Sequence, residues 1–206
     1  MTTLPDLPPQ AFAKQDSSPD LDFYAPPRLV THIDEGAVAA LTGYYREIVA
    51  PGSDVLDLMS SWISHLPDDL PLNSVVGHGM NDEELAANPR LTSRFVRDLN
   101  ADPALPLADR SLDAALCCVG VQYLQRPVEV FAEVARCLRP GAPFAVSYSN
   151  RCFPTKAVAI WRALDMAGQA ELIRLYMSQA GFAALDTRVL ANGERSDPLV
   201  VVTGRT

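Results

Sequence analysis

Residues 112–119 read LDAALCCV, apolar at nearly every position. A strand wet on one side alternates apolar with polar residues. A short run without alternation suits a strand buried on both faces, the situation in the middle of a parallel sheet covered by helices. The neighbouring sequence supplies the other layers. Short apolar runs, DVLDLM from 54, SVVGH from 74, RFVRDL from 94 and PFAVSYS from 143, are separated by helical spacings or turn residues. That alternation predicts parallel strands in an α/β fold. The end of the chain breaks it: FAALDTRVL, a turn at ANGERSD, then PLVVVTG reads as an antiparallel strand pair.

Helices are legible from caps and stops. Asp34 caps a helix carrying Val38, Leu41, Tyr45, Ile48 and Val49 at helical spacing, and Pro51-Gly52 ends it. Asn81 caps the short DEELAAN helix. A helix over 127–138 has Val128, Phe131, Val134, Ala135 and Leu138 on its buried stripe, with Pro140-Gly141 as its stop. Residues 155–180 predict two helices meeting near Gly168, stopped by Gly181. Pro67 and Pro71 speak against a long helix after the first strand. Residues 1–22, rich in Pro, Asp and Ser, predict a mobile arm. The remaining 23–206 form one domain: a lid and helix at 23–50, a core at 53–150, a helical segment at 151–181 and a strand pair at 182–206.

With 206 residues, 48% of them hydrophobic, the chain can bury one substantial core. A net charge of -8 without a basic stripe argues against nucleic acid. No apolar run approaches the roughly 20 residues of a membrane span, and the N-terminus lacks a secretory core, so no membrane partner and a cytoplasmic location are expected. The four cysteines show no C-x-x-C spacing, which predicts reduced thiols and no metal.

The stretch LPLADRSLDAALCCVGVQYLQRPVEVFAEVARCLRPGAPFAVSYSN, 105–150, resembles class I S-adenosylmethionine-dependent methyltransferases of the small-molecule, type 11 kind. In that family an LPF.D.SFD turn opens the fourth strand and LRPGG closes the next helix. With the element order, the resemblance covers 34–204. It implies a Rossmann-like sandwich, a mostly parallel seven-stranded sheet with an antiparallel C-terminal hairpin. It also implies S-adenosyl-L-methionine as cofactor and a small-molecule methyl acceptor, in a monomer or homodimer.

The resemblance implies site residues and exposes two departures. Asp57, ending the first strand, would accept from the cofactor's ammonium. The Gly-x-Gly-x-Gly that should follow is replaced, with Met59, Ser61 and Ile63 at the glycine places. Ser60 and Ser61 offer hydroxyls and N–H groups for the carboxylate. Gly79 stands where the family has a ribose acid, which leaves Asn81 as the substitute. Asp98 and Leu99 suit the adenine, and Cys118 completes the cofactor wall. The acceptor should lie beyond strands four and five, with His32 as base, Tyr123 and Asn150 orienting it, and Tyr24, Arg28, Trp62, Arg151 and Lys156 binding it. Residues 23–34 would fold over as a lid. The alternative is a non-catalytic S-adenosylmethionine-binding or regulatory protein on the same fold. Cys117, Cys118 and Cys152 also leave open a thiol or arsenic acceptor.

Overall fold

The computed structural model describes residues 7–206. The strands are β1 Asp54–Leu58, β2 Ser74–Gly79, β3 Ser93–Val96, β4 Ala114–Cys118, β5 Pro143–Ser149, β6 Ala183–Ala191 and β7 Leu199–Arg205. The helices are α1 Asp20–Tyr24, α2 Glu35–Ile48, α3 Asp82–Ala87, α4 Pro127–Cys137, α5 Ala159–Ala163 and α6 Met166–Gln179. One sheet runs β3-β2-β1-β4-β5-β7-β6. β1 to β5 pair in parallel, and β7 pairs antiparallel with both β5 and β6. The order reverses between β1 and β4, and in open α/β sheets a ligand crevice opens at that reversal, outside the carboxyl ends of the strands.

The all-apolar β4 is explained by its two covered faces. Ala114 and Leu116 pack under α2 with Leu41, Tyr45, Leu66 and Leu70. Ala115 and Cys117 face α4 and α6 with Phe131, Val134 and Met177. Asp34 caps α2 by accepting from the Ala37 N–H at 2.9 Å. No helix stands between β1 and β2, as Pro67 and Pro71 foretold. Among the described residues, no helix is long and apolar enough to cross a membrane.

Two expectations need correction. The last two helices meet at 164–165, a few residues before Gly168. Gly168 lies in the first turn of α6, where Asp165 accepts its N–H at 2.8 Å as the cap. The arm is the second. Residues 1–6 lie outside the described residues, but from Pro9 onward the segment is packed: Phe12 meets Tyr176 at 6.3 Å between ring centroids, and Ala159 N–H donates to Ala13 O at 2.9 Å. Charged groups secure it. The Lys156 ammonium, 0% exposed, pairs with Asp16 at 3.2 Å and Asp20 at 3.3 Å and donates to Ser18 O at 2.8 Å. Lys14 pairs with the other oxygen of Asp20. Composition suggested a mobile arm because its anchors are polar, and the residue that receives them lies over a hundred positions away.

Candidate active site

A cavity of about 300 Å³ opens at the carboxyl ends of β1 to β4. Its floor is the β1 loop, its side walls are the ends of β2, β3 and β4, and its roof is the segment carrying Tyr24, Arg28, Thr31 and His32. The segment expected as a lid contributes these four residues to the cavity lining.

The floor shows what replaced the glycines. Met59 adopts φ 57°, the left-handed region in which glycine is most at ease. Its N–H donates to His78 Nδ1 at 3.2 Å, and the Ser60 N–H donates to His78 O at 2.6 Å. The Ser60 hydroxyl donates to Asp57 at 2.6 Å and the Ser61 hydroxyl to Glu84 at 2.6 Å. Asn88 donates to Ser61 O at 3.0 Å. Hydroxyls and backbone donors therefore pull the loop onto β2 and α3. The glycines that close approach demands sit on its neighbours. A Cβ at Gly79 would lie 2.6 Å from Ser60 O, and one at Gly120 would lie 2.8 Å from Met59 Cβ. A side chain at Gly79 therefore has no room beside the Ser60 carbonyl. Beside it Val119, a β-branched residue, is held at φ 44°, a conformation that persists only where packing overdetermines it.

Electrostatics divides the cavity. Burial raises the Asp57 carboxyl above its ordinary value, against the two serine hydroxyls that bond it. Burial also lowers His32, holding it neutral, and pushes Tyr123 and Cys118 up to about 12. The Tyr123 hydroxyl accepts from the Phe153 N–H at 2.8 Å, which fixes the ring in the wall. One oxygen of Asp98 accepts the Asn100 N–H at 2.9 Å, leaving the other for a ligand.

Most of the expected residues meet here. Tyr24, Arg28, His32, Met59, Ser60, Ser61, Gly79, Asn81, Asp98, Leu99, Cys118, Tyr123 and Arg151 all line the cavity. Four do not. Asp57 faces a smaller space of about 30 Å³ behind the loop, because Ser60 and Ser64 close over its carboxylate. Trp62 does not line the cavity; its indole N–H donates to Val30 O at 3.0 Å. Asn150 is exposed just past β5. Lys156 is sealed against the arm. Asn81 lines the cavity with its polar atoms engaged: its oxygen caps α3, and its amide donates to Tyr24 O and Ala25 O. Arg151 pairs with Asp197 at 2.9 Å.

Sequence reasoning passed over Glu84, Asn100 and Phe153, which also line the cavity. Glu84 is 9% exposed and accepts from both the Arg28 N–H and the Ser61 hydroxyl, tying lid to loop. Its place two residues into the Asn81-capped helix resembled an ordinary solvated turn, and only the tertiary fold buries it.

The sequence and fold were compared with known proteins. The family described as "Methyltransferase domain" matches residues 62–146. No curated protein matches the sequence. Several solved structures share the fold. A chain from the complex of the Haloferax volcanii Trm112 methyltransferase activator superposes with TM-score 0.62 at 17% identity, over 83% of this chain and 90% of that one. An S-adenosylmethionine-dependent methyltransferase of Mesorhizobium loti gives 0.58 at 16%, over 81% and 98%. One from Thermotoga maritima gives 0.60 at 16%, over 82% and 90%. Residues 62–146 thus match a methyltransferase-domain family, and the chain shares its fold with solved S-adenosylmethionine-dependent methyltransferases.

The floor carries a pH dependence. His78 accepts at Nδ1 and, by the tautomer this assigns, donates from Nε2 to Arg97 O at 2.9 Å. Burial pulls both His78 and His65 down to about 4 from 6.5. Between those values the unfolded chain binds the proton and the folded chain does not, so stability is intact above about 6.5 and falls as pH drops toward 4. The expected slope approaches about 1.4 kcal/mol per pH unit for each histidine. Urea midpoints at pH 7 and pH 5 measure it, and a midpoint unchanged over that interval contradicts the burial of these rings.

Proposed function

We propose that the chain transfers the methyl group of S-adenosylmethionine to a small cytoplasmic metabolite. The observation that carries this reading is the 300 Å³ cavity at the strand ends, at the small end of the range for ligand sites. It is lined by Asp98 and Glu84, a neutral histidine and an aromatic wall.

The residues present fit the cofactor at its adenosyl end. Asp98 accepts from an amino group and the backbone at Leu99 reaches a ring nitrogen. For the methionyl end the fit is indirect. Asp57 polarises the Ser60 hydroxyl, whose oxygen remains free to accept an ammonium hydrogen from the cavity side, so Asp57 acts through Ser60. When bound, the cofactor supplies a carbon activated by a sulfonium, and the protein's task is alignment and exclusion of water. The lid excludes water. Tyr123 and Phe153, stacked with ring centroids 6.1 Å apart, and Tyr24 above them shape the acceptor end. His32, neutral and lining the cavity, takes the proton that the acceptor loses.

The test is a screen of metabolites for methyl uptake from labelled cofactor, followed by turnover of His32→Ala. Turnover is expected to fall roughly tenfold to a hundredfold with cofactor affinity much less affected, the effect of removing a positioned base. Turnover within about threefold of the parent contradicts the assignment of His32. A second reading, a cofactor-binding protein without transfer, is favoured by the sealed Asp57. It predicts cofactor heat with no methyl uptake by any metabolite.

A further inference from the structure

Arg28 lines the cavity, and no carboxylate among the described residues forms an ion pair with it. The cavity's other arginine, Arg151, is paired with Asp197, and its two histidines, His32 and His78, are held neutral by burial. The Arg28 guanidinium is nevertheless held by its neighbours. Its carbon lies 4.6 Å from the Phe23 ring centre, 5.5 Å from Phe153 and 5.8 Å from Tyr24. One terminal nitrogen donates to Phe23 O at 2.8 Å and the other to Pro26 O at 3.3 Å. These bonds use two of its five N–H donors. Three remain, on a planar fork that matches the oxygens of a carboxylate or phosphate. The backbone is fixed as well, because the Arg28 N–H donates to Glu84 at 2.6 Å.

We propose that Arg28 is the anchor for an anionic group on the methyl acceptor, so that the substrate is a small carboxylate or phosphate compound. This deepens the reading of the site as a methyltransferase centre and rests on it. Charge is apportioned accordingly. Asp98 lines the β3 end of the cavity, Glu84 is engaged by the Arg28 N–H and the Ser61 hydroxyl, and Asp20 is neutralised by Lys14 and Lys156. Arg28 sits in the roof beside His32, on the same wall as Phe153, whose ring lies 5.9 Å from that of His32. An anion held there brings its neighbouring nucleophile to the base. The same rings do not form a vacant cage for an amine, since a cationic acceptor would have to displace a tethered guanidinium that already covers them.

The experiment titrates the protein, saturated with S-adenosylhomocysteine, with benzoate, phenyl phosphate and benzylammonium by ligand-observed NMR. At least one of the two anions is expected to bind in the millimolar range, and the tighter of them identifies the acceptor's group. Arg28→Gln should weaken that binding at least tenfold with an unchanged melting temperature, and Arg28→Lys, which keeps the charge without the fork, should fall between. Benzylammonium binding more tightly than both anions overturns the proposal, as does anion binding that survives Arg28→Gln. Absence of both anions from a protein that binds S-adenosylhomocysteine overturns this inference alone. Failure to bind S-adenosylhomocysteine overturns the cofactor reading beneath it as well.

Discussion

Replacing Lys156 with alanine is expected to cost the domain about 3–5 kcal/mol, the usual consequence of leaving a buried carboxylate without its partner. The ammonium is 0% exposed and joins Asp16, Asp20 and Ser18 of the N-terminal segment to the turn before α5. Lys14 would still face Asp20, which places the loss toward the lower bound. In a domain of this size about 3 kcal/mol corresponds to a fall in Tm of roughly 6–12 °C. Because Asp20 lines the cavity, cofactor affinity should weaken with the loss of that wall. Urea unfolding of Lys156→Ala measures the effect. A cost below about 1 kcal/mol would mean that the arm does not depend on this network.

Gly79→Asp, which puts back the acid that the family carries, is expected to destabilise the protein by at least about 2 kcal/mol and to weaken cofactor binding. The new Cβ would stand 2.6 Å from Ser60 O and 3.1 Å from the Leu85 side chain. The leucine can adjust, whereas the carbonyl belongs to a loop residue whose N–H is bonded to His78 O at 2.6 Å. Overpacking of this kind costs ~1–3 kcal/mol, and a carboxylate in a confined space adds to it. Gly79→Ala isolates the steric part. Tighter cofactor binding by Gly79→Asp would show that the loop yields easily and that its course is a relic, not a rebuilt floor.

The fold was largely legible because its signals are local and repeated. The unalternating LDAALCCV, the capped helix after Asp34 and the two-proline loop each specify an element without reference to the rest. The cavity residues Asp98, Leu99, Gly79 and Cys118 came from the family resemblance, which places them at strand ends. What escaped depends on long-range partners. Lys156 reads as a loop cation until Asp16 and Asp20 are seen to bury it. Asp57 reads as the ammonium acceptor, but the hydroxyls of Ser60 and Ser64, three and seven residues on, close over its carboxylate. Glu84 looks like a solvated first-turn acid and becomes the tie between lid and floor. Trp62 was placed by residue type, and its one donor is taken by the lid backbone at Val30.

Whether a floor built from serines and a left-handed methionine holds the cofactor is decided by calorimetric titration of the protein with S-adenosylmethionine, in parallel with Asp98→Ala. The account predicts one-to-one binding to the parent. It also predicts at least about 1.5 kcal/mol weaker binding to the variant, the scale of a lost hydrogen bond to a charged group. No heat at millimolar cofactor, or equal affinity in parent and variant, would contradict it.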